Sequence, residues 1–157
     1  MHRRAPAVAL VLTAVLAATS GCGIRIPADP DGTLDRVTGG ELRVGASPSG
    51  DLVRIDGGRV SGTLADLIEE FATERDATVV WTPGSEEDLV DDLESGRLDL
   101  AVGGMTDATP WADRVSVTRG YDAIPGSQGR SIVVLLPLGE NDLQSTLETF
   151  LDEEVAP

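Results

Sequence analysis

The sequence predicts an α/β fold, a three-layer lobe in which a mostly parallel sheet of about five strands is flanked by helices. Three observations carry this. Short apolar or β-branched runs recur at Glu41–Ala46, Thr78–Trp81 and Leu98–Val102. The stretches between them have one apolar face at helical spacing. Each of those stretches is also bounded by residues that start or stop helices. Strand, helix, strand, helix, strand in this order is a pair of βαβ units, which places the strands parallel with right-handed crossovers.

The elements follow in order. Glu41-Leu42-Arg43-Val44-Gly45-Ala46 is a strand that runs into the small residues Ser47-Pro48-Ser49-Gly50. Leu52–Ile55 and Arg59-Val60 flank Asp56-Gly57-Gly58, a turn signal that predicts a hairpin. A helix begins near Leu64, with Leu64, Leu67, Ile68, Phe71 and Ala72 on one face and Glu69, Glu70, Glu74 and Arg75 on the other. Thr63 reads as its N-cap, with Asp66 three residues on. Thr78–Trp81 is a strand stopped by Pro83-Gly84. Ser85 caps a second helix, whose start carries Glu86, Glu87 and Asp88 at its positive end. Its inner face is Leu89, Val90 and Leu93, and Gly96 ends it. The acidic run Glu86–Glu94 reads as a solvated helix face. After the strand Leu98–Val102 come a short strand at Val115–Thr118 and a loop at Asp122–Gly129. Ser131–Leu136 is the most apolar strand, and a last helix spans about Asn141–Glu153 with Leu143, Leu147, Phe150 and Leu151 inward.

Residues 1–22 read as an export signal. Arg3 and Arg4 precede the apolar run Val8–Ala18, which is shorter than the roughly 20 residues a membrane-spanning helix needs. Its end, Thr19-Ser20-Gly21-Cys22, resembles the lipobox of bacterial lipoproteins, with Thr19 where leucine is usual. Cys22 is then the lipidation site, and the protein is expected outside the cytoplasm, held to the cell membrane by that lipid. Ordinary secretion with a cut nearby is the other reading. Residues 23–40, with Pro27, Pro30, Gly32 and Gly39-Gly40, read as a flexible tether, and 41–157 as one lobe. Asp29-Pro30-Asp31-Gly32 looks like the start of a calcium loop, but the later oxygen ligands are missing, so it reads as a turn.

Composition narrows the function. The chain of 157 residues has 12 basic and 27 acidic side chains and a formal charge of −15. Loss of Arg3 and Arg4 with the signal takes this to about −17, too negative for nucleic acid, whose phosphates are held by Lys and Arg. The same charge disfavours electrostatic attachment to anionic lipid. His2 and Cys22 are the only residues of their kinds and both lie in the signal. No Ser–His or Cys–His pair and no histidine metal site can be built, and no P-loop with its lysine is present. Only carboxylate chemistry remains open to an enzyme; the reading is a non-enzyme without cofactor or metal.

Residues 41–121 are similar to the first lobe of bacterial extracellular solute-binding proteins of family 3, the polar amino-acid type that captures ligands for ABC importers. The passages that carry this are Glu41–Gly45, Gly62–Ala72, Leu93-Glu94-Ser95-Gly96-Arg97-Leu98-Asp99-Leu100-Ala101, Gly104-Met105-Thr106, Thr109-Pro110 and the Val-Ser-Val-Thr segment that leads to Tyr121. The resemblance implies one lobe of the periplasmic binding protein type 2 fold, with strand order beginning 2-1-3. Two departures stand beside it. Members of the family have a second lobe between the Tyr121 region and the returning strand, whereas here residues 122–130 form only a loop. Members that bind amino acids usually have an arginine two residues after the Thr-Pro, where this chain has Ala112.

In an open parallel sheet, ligands bind outside the carboxyl ends of the strands where the strand order reverses. With a 2-1-3 order those ends are Ala46–Ser49 and Gly103–Thr106. The expected ligand-binding residues are Ser47, Ser49, Gly104, Met105, Thr106 and Thr109, with Trp111 and Tyr121 as a flat wall and Arg114 as the nearest guanidinium. Trp111 reads equally as a hydrophobic plug, and Tyr121 also reads as core. The expected partner is a small polar solute, amino-acid-like or anionic, held weakly because one lobe has no hinge to close. The membrane through the lipid, a transporter subunit and a second copy of the chain, paired over an exposed Trp111, complete the expected partners. The other reading is a lobe that has lost solute binding and serves as an interaction or sensor module beside a membrane protein.

Overall fold

The computed structural model describes residues 29–155. The signal-like segment, Cys22 and the first part of the expected tether therefore lie outside the described residues. The elements are α1 (Thr33–Val37), β1 (Glu41–Ala46), β2 (Arg54–Asp56), β3 (Arg59–Ser61), α2 (Thr63–Thr73), β4 (Thr78–Pro83), α3 (Glu86–Glu94), β5 (Leu100–Val102), β6 (Ser116–Val117), β7 (Leu135–Leu136) and α4 (Asn141–Glu154).

Five strands form one mixed sheet in the order β4-β1-β5-β7-β6, and β2-β3 is a separate hairpin. The first three strands are parallel, with Val44 opposite Trp81 on one side and Leu100 on the other. In chain order they stand 2-1-3. β7 runs antiparallel to both β5 and β6. The hairpin turn is Gly57-Gly58, with φ of 56° and 85°, the pair of positive values that a two-residue hairpin of this twist requires.

Alternation along the strands divides the core into two clusters, one on each face of the sheet. Leu42, Val44 and Ala46 of β1, with Leu100 and Val102 of β5, meet the apolar faces of α2 and α4 in the first cluster. The rings of Phe71 and Phe150 pack edge to face at 5.5 Å there. The second cluster joins Ala101 and Leu135 to Leu89, Val90 and Leu93 of α3. Gly45 is what lets α3 come close: a Cβ there would lie 2.7 Å from Leu89 Cδ2 and 2.7 Å from Leu98 Cδ1. The α2/α4, sheet and α3 layers are the three expected ones.

The structure revises three local expectations. The described part of the 23–40 tether is folded: α1 buries Val37 and Thr33, and Asp29 Oδ1 accepts from the Thr33 amide at 2.7 Å. A five-residue helix is too short to show a period, which is why it reads as loop. The Asp29–Gly32 turn is present, with Gly32 at φ 65°. Thr63 is not the cap of α2. That position is Gly62, at φ 126° with a Cβ that would lie 2.5 Å from the Leu52 carbonyl oxygen, and the Thr63 hydroxyl donates instead to the Pro125 carbonyl. Finally, Ser131–Leu136 is a ladder strand only at Leu135-Leu136. Upstream, Ile132 bridges both Thr106 and Tyr121, so the segment passes between two loops. Ser85 does cap α3, its hydroxyl accepting from the Asp88 amide at 3.2 Å.

The amino ends of β1 and β5 are locked by Asp99. Its carboxylate is buried and accepts from the Arg43 amide at 2.9 Å, from Arg43 Nη2 at 2.6 Å and from Arg36 Nη2. This raises the already high pKa of Arg43, through the hydrogen bond first and the charge of Asp99 second. Asp99 is the aspartate of the Ser-Gly-x-x-Asp passage, and its role in the fold is to hold one end of the sheet.

Candidate functional site

At the opposite end, the strand order reverses between β1 and β5, and their carboxyl ends open into a crevice. Two loops border it. The Ser47 amide donates to the Val102 carbonyl at 2.9 Å, tying the first loop to the second. Ser49 closes a tight turn, its amide donating to Val53 at 2.8 Å. The two loops touch over a pair of glycines: a Cβ on Gly103 would lie 3.0 Å from Ser47 Cβ, and one on Gly104 would lie 2.6 Å from Ser49 Oγ. Glycine at these positions is what lets the loops approach so closely. Among the described residues, the Ser49 and Thr106 hydroxyls and the Gly104 amide have no hydrogen-bond partner within the chain. Those groups are half-exposed and can donate to a bound molecule.

The structure brings Ser47, Ser49 and Gly104 together, with Thr106 two residues on, and gives the other expected residues partners within the chain. Met105 turns its side chain into the second core cluster, 3% exposed, while its carbonyl accepts from the Val133 amide at 3.0 Å. Thr109 is a turn residue: its amide donates to the Thr106 carbonyl at 2.9 Å and its Oγ1 accepts from the Trp111 amide at 3.4 Å. Trp111 packs against the second cluster, half-buried, with Nε1 donating to Glu86 of α3 at 3.4 Å. It is the plug of the two readings, and the expected exposed indole is corrected accordingly.

Arg114 is corrected as well. It pairs with Asp91, at 2.7 Å, and with Glu94, both on the second half of α3. Because α3 returns from the carboxyl end of β4 to the amino end of β5, this places Arg114 at the far end of the sheet from the crevice. Its pKa is raised by those two carboxylates. Tyr121 is core: it is 9% exposed, pairs with Ile132 and donates from its hydroxyl to the Glu148 carbonyl at 3.2 Å. Burial pushes its hydroxyl up to about 12, so it stays protonated at any physiological pH.

One residue at the crevice has no counterpart in the sequence reading. Arg130 ends the 122–130 loop, and its Nη1 lies 3.6 Å from the point where a Gly104 Cβ would stand. The only available signal was that no basic residue follows it in the chain.

A cavity of about 490 Å3 lies at the other end of the sheet, where Arg36, Arg43, Asp99, Arg114 and Glu140 line it. Its arginines are already committed to carboxylates of the chain. Those arginines have little left to hold a ligand with, while Glu140 in the same lining keeps two carboxylate oxygens without a partner. Among the described residues no group of three or more acidic, histidine or cysteine side chains is placed to hold a metal ion, and no helix is long and apolar enough to cross a membrane.

The crevice and the sheet around it define a class. The described chain has the fold of one lobe of the amino-acid-binding proteins that serve ABC transporters. The arginine-bound form of domain 1 from TmArgBP superposes with a TM-score of 0.65 at 22% identity, over 76% of this chain and 97% of that one. An ancestral arginine-binding protein bound to arginine gives 0.61 at 14% identity, over 72% and 91%. A substrate-binding protein of an ABC uptake transporter from Streptococcus pneumoniae, with bound histidine, gives 0.51 at 18% identity, and there this chain spans 38% of the longer protein. No protein-family model matches the sequence, and no curated protein matches it.

Proposed function

We propose that this protein is an extracytoplasmic solute-binding lobe that takes a small polar solute at the β1/β5 crevice and serves an ABC-type transport system. The observation that carries this is that the Ser49 hydroxyl lies against Gly104, whose amide has no partner among the described residues, at the point where the strand order reverses, with the Thr106 hydroxyl two residues on. An arginine-bound single domain among the similar structures supports a lone lobe as a binding unit. Binding is weak, in the range of about 10 μM to 1 mM, because one wall is open to water and no hinge closes over the ligand.

Residues 1–22 are the export signal and Cys22 the lipid site, so that the lobe works at the outer face of the cell membrane. The 122–130 loop takes the place of a second lobe. A second copy or a transporter subunit seated over the open crevice supplies the missing wall.

The test is a titration of the mature protein with amino acids and small organic anions, followed by amide chemical shifts. Shifts at Ser49, Gly104 and Thr106 are the expected result. No shift with any solute, in a protein that still retains a membrane partner, would overturn this reading in favour of an interaction module.

A further inference from the structure

Glu140, at the start of α4, is 2% exposed, and neither of its carboxylate oxygens accepts a hydrogen bond. A buried carboxylate is costly unless a counter-charge reaches it. The arginines of the cavity it lines do not serve, because Arg36 and Arg43 are held by Asp99. What Glu140 meets instead is more oxygen. The Asp29 carboxylate and the Thr33 hydroxyl stand beside it, and Asp31, in the same cavity lining, is the next charge. The turn that carries these three is pressed against the start of α4, with Pro30 Cγ 3.5 Å from the point where a Gly139 Cβ would stand. Its shape is fixed by the Thr33 amide, which donates to Asp29 Oδ1 at 2.7 Å, and by Gly32 at φ 65°.

We propose that Asp29, Asp31, Thr33 and Glu140 form a binding site for a calcium ion. Asp29, Asp31 and Thr33 alternate along the chain with the spacing at which a calcium loop presents its first three oxygen ligands. The closing glutamate of such a loop is missing from the residues that follow, and Glu140 supplies it from the other end of the described chain. Every one of these ligands is an oxygen, which suits a hard cation. Calcium takes about six to eight oxygens in a flexible array, whereas magnesium demands a near-ideal octahedron that one turn and a distant glutamate do not offer. Three carboxylates are not already gathered at metal-binding distance among the described residues. Asp29 and Glu140 are the pair in place, and Asp31 is exposed, so its side chain can swing in over the ion. The ion cancels the repulsion between the paired carboxylates and ties the first described turn to α4. The site lies at the opposite end of the sheet from the β1/β5 crevice and does not depend on the solute-binding reading.

The experiment is a calorimetric and amide-shift titration of the mature protein, first stripped with EDTA, with CaCl2 and MgCl2 as probes at pH 7. Wild type is compared with Glu140→Gln, Asp31→Asn and Glu87→Gln. Glu87 is an exposed carboxylate of α3 and controls for ions gathered by the overall negative charge. The expected result is one calcium site with a Kd of about 10 μM to 1 mM, with shifts at Gly32, Thr33 and Glu140, and with magnesium about 10-fold weaker or more. Calcium raises the melting temperature of wild type. Glu140→Gln weakens calcium binding by about 10-fold or more and abolishes that rise, Asp31→Asn weakens it by about 3- to 10-fold, and Glu87→Gln leaves it unchanged. In EDTA, Glu140→Gln melts no lower than wild type, and the exposed Asp31 carries the same test without a risk to folding. Equal calcium binding by wild type, Glu140→Gln and Asp31→Asn overturns the inference. A loss in Glu87→Gln as large as that in Glu140→Gln also overturns it, because it marks ions collected by surface charge. Magnesium binding as tightly as calcium overturns the choice of ion, and no heat or shift with about 10 mM CaCl2 overturns the site.

Discussion

Replacing Asp99 with asparagine tests whether the sheet is held from its amino end. Asp99 is buried, its side chain 2% exposed, and it takes donors from two arginines and from the β1 backbone. Asparagine keeps the shape but has one acceptor oxygen, and it turns an NH2 towards guanidinium donors. Breaking a fully buried charge pair costs about 3–5 kcal/mol. Here the arginine side chains are 41% and 35% exposed, so they regain water when the carboxylate is lost and the cost is reduced. The expected loss is about 2–3 kcal/mol. For a lobe of this size that is a fall in melting temperature of roughly 8–12 °C. Urea unfolding followed by circular dichroism, with wild type and variant at pH 7, measures it directly. A variant within about 0.5 kcal/mol of wild type would refute the reasoning, because it would mean that the β1–β5 pairing stands without its buried anchor.

Two further outcomes concern the interior. Glu140 is 2% exposed and neither carboxylate oxygen has a partner, so burial first, then the neighbouring Asp29, raises its pKa. A carboxyl raised in the folded state contributes stability below its unfolded value, near 4.3, and loses it as pH rises through the folded value. Glu140→Gln is therefore expected to be more stable than wild type at pH 7, by about 1–2 kcal/mol, with the difference vanishing near pH 4; urea midpoints across that range measure it, and a pH-independent difference refutes it. Gly45→Ala puts a methyl against Leu89 and Leu98 and is expected to cost about 1–3 kcal/mol in the same assay. An unchanged midpoint there would show that α3 can shift away freely.

Much of the fold was legible because its signals are local. The apolar face of α2 repeats every three to four residues. The Ser85 cap needs only its own chain three residues on. Gly57-Gly58 demands a hairpin turn wherever it stands. The 2-1-3 strand order was legible only through the resemblance, since periodicity does not say which strand lies beside which. α1 escaped because five residues contain no repeat, and the Ser131–Leu136 run was read as one strand because apolarity does not reveal where a ladder breaks.

The candidate site divides in the same way. Small residues after β1 and β5 are a property of the sequence, and they determined by themselves that two strands end in loops open to a close approach. What only the tertiary structure decided is which polar groups those loops meet. Arg114 is five residues from Thr109 in the chain, yet it is spent on Asp91 and Glu94 across the α3 surface. Tyr121 lies under α4, bonded to Glu148. Arg130, twenty-six positions beyond Gly104, is carried to the crevice by a turn whose only purpose is visible in three dimensions. The physical reason is that a charged side chain takes the nearest complementary partner in space. Sequence distance sets which partners can be tried, and packing sets which one is reached.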